Sequence, residues 1–217
     1  MKKENRLSMI NILIIIMTLL FILDRYILFD RSQVDEFSFI LLNKEAGAFL
    51  KIAIGIVPGK LSSIFGLYSN VFKTYEFWRI FTHIFLHQFL FHLLFNSIAL
   101  YKVGNIIEKK IGKMKTLLIF LLSGPLSSLI ANFIIKSDGF TVGISGSVFA
   151  FIGISIVLSL TEKGYTKSNF NKWWIIYFIF YGVILTITSP WTFIAHTSGL
   201  LIGVIVGIVL KKTKKVL

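Results

Sequence analysis

The sequence predicts an all-α polytopic membrane protein, a bundle of six transmembrane helices with a long first loop. Three observations predict it. First, 55% of the 217 residues are hydrophobic, mean hydropathy is +0.81 and only 15% are charged, whereas a soluble domain is nearer a quarter charged. Second, apolar runs of spanning length recur along the chain, separated by short polar stretches. Third, the net charge of +13 is carried largely by lysines in those stretches. Lysines so placed set membrane orientation, so the bilayer and not nucleic acid is the expected partner. With no Cys, disulfide and thiolate chemistry are excluded.

Residues 1–75 are read as a first transmembrane helix and an interfacial loop. Leu7 to Leu23 is apolar and is stopped by Asp24-Arg25. No small-x-small cleavage site follows, and Ile27-Leu28-Phe29 resumes the apolar run, so an uncleaved helix is expected over a signal peptide. Asp30 to Glu76 mixes charges with apolar pieces at 37–42 and 52–57, which predicts short amphipathic segments in the bilayer interface.

The core follows at 76–210. A second span is expected within Phe77–Val103, entered through Trp78-Arg79, and a third over Thr116–Ile135. The fourth is Ser145–Leu160, the fifth Trp173–Thr188 and the sixth Trp191–Leu210. Residues 211–217 are a basic tail. Fifteen of the 23 Lys and Arg fall in the N-terminus, the 101–115 and 161–172 loops and the tail. Both termini are therefore expected in the cytoplasm.

The fourth span is short. Its sixteen residues make about 24 Å of helix against a hydrocarbon core of about 30 Å. Ser145 should then end below the outer surface, with the irregular backbone before it buried in protein or lining a wet cavity.

That backbone reads Gly139-Phe140-Thr141-Val142-Gly143-Ile144-Ser145-Gly146. A serine between near glycines has an unshielded hydroxyl, and a loop-to-helix turn aims N–H groups at whatever reacts there. Alone, the pattern equally fits helix packing in membranes. A distant histidine changes the balance. The sixth span reads Ala195-His196-Thr197-Ser198-Gly199, with Gly203 and Gly207 continuing a bare face. The fourth offers Gly146, Ala150 and Gly153. Two small faces let helices approach closely, bringing serine and imidazole within reach of one another. Imidazole is the base a serine needs to attack a carbonyl; otherwise His196 is a structural histidine bonded to a backbone carbonyl. His92 and Asn96, at i and i+4, share a face and can both donate to a developing oxyanion, or can simply tie helices together.

The combination resembles the rhomboid intramembrane serine proteases. The resemblance rests on Gly143-x-Ser145-Gly146, on Ala195-His196-x-x-Gly199-x-x-x-Gly203 and on His92-x-x-x-Asn96. It extends to Trp78-Arg79, to Glu108-x-x-x-Gly112 and to Thr82-His83-x-x-x-His87-x-x-x-x-His92, and it covers about residues 76–210. It implies that Ser145 is the nucleophile and His196 the general base. It further implies an oxyanion hole of His92, Asn96 and the Ser145 N–H, with Gly143, Gly146, Phe149 and Gly199 supporting the site. Phe149 stands where rhomboids often have a tyrosine stacked on the histidine; it keeps the ring and loses the hydroxyl. The implied substrates are single-span or polytopic membrane proteins, cut near the outer face at the plasma membrane of a bacterium. The alternative is an inactive rhomboid-like protein that binds transmembrane segments.

None of the ten Asp and Glu lies inside spans two to six. This favours a Ser-His dyad over a triad and speaks against a proton-coupled transporter or an aspartyl protease. His83 and His87 share a helical face, but His92 lies about 140° from His87. With no convergent third ligand, neither a metal nor any other cofactor is expected.

Overall fold

A computed structural model of the chain describes residues 7–28, 59–135, 140–161 and 189–213. The expected fifth span, the amphipathic pieces at 37–42 and 52–57 and the end of the tail lie outside them. The chain is a helical membrane protein. In order come α1 (Met9–Ile22), a π turn (Leu23–Ile27), α2 (Lys60–Phe65), β1 (Leu67–Tyr68), α3 (Val71–Thr74) and α4 (Arg79–Thr82). A 3-10 turn (His83–Phe85) then leads to α5 (Leu90–Ile111), α6 (Lys113–Ile134), β2 (Phe140–Thr141), α7 (Ser145–Thr161) and α8 (Pro190–Thr213). Among the described residues α5, α6 and α8 are long and apolar enough to cross a membrane, and α7 is a shorter apolar helix.

The chain forms two compact units. One takes in α1 to Ile14, α5 from Ile98, α6, α7 and α8. Here α7 packs on α6, on α8 and on the middle of α5 at Leu100–Gly104. Its buried residues run from Gly146 to Leu158 on every side. A helix apolar all round belongs at the centre of a bundle, and protein rather than lipid surrounds it. Its 17 residues span about 25 Å. The start of α1 is fixed by Glu108, whose two carboxylate oxygens accept the N–H groups of Met9 and Ile10 at 3.0 Å each. That satisfies donors left orphaned at a helix start and sets a negative charge at the positive end of the dipole. Gly112 ends α5 with φ +86, where a side chain is strained.

The other unit holds the π turn, α2 to α4, the 3-10 turn, α5 up to Ser97, and β2. The buried Asp24 carboxylate accepts from Leu61 N at 2.6 Å and from Ser62 Oγ at 2.6 Å, so it caps α2. Arg79 donates to the carbonyls of Ser63 and Gly66 and to Glu76 Oε1, all at 3.0 Å. β1 pairs antiparallel with β2, Leu67 opposite Thr141 and Tyr68 opposite Phe140. Each strand is only two residues long, and the fold class remains all-α as expected.

The second span also differs from its expected bounds. Residues 77–89 form α4, the 3-10 turn and a loop, and the long helix runs from Leu90 to Ile111. Apolar composition alone suggests a start at Phe77. Arg79, His83 and His87 are buried there, and the Arg79 and His83 side chains bond to protein carbonyls, which an uninterrupted lipid-facing helix could not provide.

Candidate active site

Ser145 is the first residue of α7 and is half-buried. The first N–H groups of this helix have no partner within the helix, and the partial positive charge there favours a negative oxygen. Its neighbour Gly146 lies against α8: a Cβ at Gly199 would strike the Gly146 carbonyl. A Cβ at Gly203 would strike the Ala150 backbone, and one at Gly153 the Leu200 and Val204 backbone. The two small-residue faces therefore do meet. Gly207 instead faces Val157 and Ile154. On the other side Gly146 touches Ser127 of α6. This contact carries no local signal in the sequence.

His196 is buried in α8, and Phe149, one turn along α7 from Ser145, stacks on it. The ring centroids are 4.3 Å apart and the planes 14° apart. The nearest alternative serine is turned elsewhere, since Ser147 is fully buried and donates to the Phe120 carbonyl at 2.8 Å.

In the other unit the backbone ahead of the serine is fixed by the 3-10 turn. Gly143 N donates to the His83 carbonyl at 3.0 Å, and Gly143 has φ +120. A Cβ there would lie 2.6 Å from His92 Cε1, so glycine is required twice over. His92 is flanked by Phe89 (centroids 5.3 Å apart) and, edge-on, by His87 (5.1 Å, 72°). Asn96 is buried, and among the described residues its Nδ2 has no hydrogen-bond partner. That leaves two N–H donors unused in a site where an unmade bond costs free energy. His83 is fully buried, with Nδ1 2.9 Å from the Arg79 carbonyl; burial pushes its pKa down to about 4. The first-loop histidines are thus buried in the packing of this unit. No group of three His, Cys, Asp or Glu among the described residues is arranged to hold a metal.

The remaining motif residues are supports. Glu108 and Gly112 anchor α1 and end α5, and Arg79 holds the carbonyls of Ser63 and Gly66 at the end of α2; Trp78 is half-exposed at the start of α4.

A rhomboid-domain family model matches residues 74–213. The chain is 36% identical over 88 residues to the rhomboid protease GluP of Bacillus subtilis (strain 168), which covers 41% of this chain and 17% of that one. It is 26% identical over 153 residues to the rhomboid protease GlpG of Haemophilus influenzae, which covers 64% of this chain and 73% of the relative. The chain therefore spans less than a fifth of the length of the first of these relatives.

Proposed function

The chain belongs to the rhomboid family, and from that premise we propose that it is an intramembrane serine endopeptidase of a bacterial plasma membrane. Its substrates are membrane proteins cut near the outer face, and both its termini are cytoplasmic. The observation that carries the reading is the Phe149–His196 stack, together with the Gly146–Gly199 contact. The helix that begins with Ser145 also supports the imidazole the serine needs.

In the reaction His196 takes the Ser145 hydroxyl proton as Oγ attacks the scissile carbonyl carbon. The C=O electron pair moves to oxygen, and the oxyanion is met by the Ser145 N–H and by His92 and Asn96, the donors that resemblance assigns. The intermediate collapses, the C–N bond breaks, and His196 returns its proton to the leaving amine. Water then attacks the acyl-enzyme, again giving its proton to His196, and Ser145 is regenerated with release of the new carboxyl end.

A fluorophosphonate probe on purified protein in liposomes tests the assignment. Ser145 should be labelled in wild type and in Ser147→Ala, and labelling should vanish in Ser145→Ala and His196→Ala. Labelling that persists in Ser145→Ala sinks the assignment. A folded wild type that neither labels nor cleaves, yet binds a transmembrane peptide, would establish the inactive binding protein instead.

A further inference from the structure

His87 is a buried imidazole that takes no direct part in the acyl transfer. It precedes α5, is 1% exposed, and among the described residues neither ring nitrogen has a hydrogen-bond partner. A neutral imidazole has one N–H to donate and one lone pair to accept with. Leaving both unmade in the interior is unfavourable. Were packing its only task, an apolar side chain of similar size would be the more stable choice. The His87 backbone is tethered as well, its carbonyl accepting a long 3.5 Å bond from the fully buried Arg25.

What the ring does touch is His92. The two imidazoles meet edge to face, 5.1 Å apart at 72°. An aromatic ring is negative on its face and positive at its edge, so this contact fixes the angle between the two planes. Phe89 lies 5.3 Å from His92 at 36°, and Gly143 leaves no room for a side chain beside Cε1 and Nε2. Of these three neighbours only His87 is polar.

We propose that His87 is a positioning residue that acts through His92. It holds the His92 ring plane, and so the direction in which the ring N–H is presented to the oxyanion. This rests on the reading of His92 as an oxyanion donor.

The test uses the full chain in liposomes, a single-span substrate, and kcat and KM measured separately. His87→Leu puts an apolar side chain of similar size in its place and removes the ring. It should melt at or above the wild-type temperature, with KM within about twofold and kcat lowered about 10- to 100-fold, the scale of a small misplacement of a catalytic group. Added to His92→Ala, it should cost no further rate, because the group it acts through is already gone. Wild-type kcat in His87→Leu, or losses that multiply in the double variant, would overturn the proposal. If His92→Ala itself keeps full kcat, the donor reading fails and the proposal falls with it; slow His92→Ala beside fast His87→Leu removes His87 alone. An independent readout is the imidazole 15N spectrum, which contains four histidines. The His92 signal, assigned by its loss in His92→Ala, should shift or broaden in His87→Leu and be largely restored in His87→Phe, which keeps an aromatic edge against His92. An unmoved His92 signal would overturn the proposal even were no proteolysis seen.

Discussion

The Phe149 ring lies flat on the His196 imidazole, with centroids 4.3 Å apart and planes inclined by 14°. A stacked aromatic pair contributes about 0.5–1.5 kcal/mol beyond burial, which as orientation energy is roughly a 2- to 13-fold effect on rate. Phe149→Ala should slow fluorophosphonate labelling of Ser145 by about that factor, and Phe149→Tyr should stay near wild type. Equal labelling rates in all three would show that the stack does not orient the base.

Close packing of α7 on α8 predicts intolerance at Gly203. An added side chain there meets the Ala150 carbonyl and Cα, which are backbone atoms that cannot rotate away. Gly203→Val should destabilise by about 1–3 kcal/mol or more, the usual scale of overpacking. Gly112→Ala offers a contrast. No atom lies within 4 Å of its Cβ site, but φ is +86. With ψ at 162 this is a conformation essentially reserved to glycine, so the change should cost about 1–3 kcal/mol from the backbone alone. Thermal melts in one detergent decide both, and an unshifted Gly203→Val would refute the packing.

Glu108→Gln should loosen α1. Its carboxylate accepts from both Met9 N and Ile10 N, whereas a carboxamide can accept one and turns its own donors toward the other. The cap and the charge at the helix start together suggest a loss of about 1–2 kcal/mol. Lys109→Gln, on the exposed neighbour, serves as the control. Equal melting temperatures for the two variants would contradict the capping role.

Stability should fall in mild acid through His83. Its pKa is about 4 in the fold against an ordinary 6.5. Between those values the unfolded chain binds a proton that the folded protein refuses, so stability is full above about pH 6.5 and declines toward pH 4. At 1.36 kcal/mol per unit the loss approaches roughly 3 kcal/mol. His83→Gln should flatten this part of the profile even if it lowers stability at neutral pH. A profile of unchanged steepness would place the acid sensitivity elsewhere.

The lysine distribution predicts the direction of α6. Met114 and Ile134, both exposed, sit at opposite ends of this helix. In this Cys-free chain, Met114→Cys should react with a membrane-impermeant maleimide only from the cytoplasmic face and Ile134→Cys only from outside. Reaction of both from one face would overturn the orientation.

Much of this site is legible in the chain order because its signals are local. Gly199, Gly203 and Gly207 recur every four residues, which is helical periodicity, and α7 begins at Ser145 where the glycine-rich stretch gives way to apolar residues. His196 lies next to the small-residue face that Gly199 begins. Hydropathy misplaces the start of α5 because it cannot distinguish an apolar helix from an apolar loop whose Arg79 is satisfied by distant carbonyls.

By itself, then, the sequence determined the class of the molecule, the shortness of the fourth span, the small faces of α7 and α8, and the serine and histidine next to them. Composition and periodicity act within a few residues, and these features are written at that range. Only the tertiary structure decided the pairings across the chain: Glu108 with Met9 and Ile10, Asp24 with Ser62, Gly143 with His83, and Gly146 with Ser127. A buried polar group must find some partner, but which one it finds depends on how the backbone returns. No spacing within either segment encodes that choice.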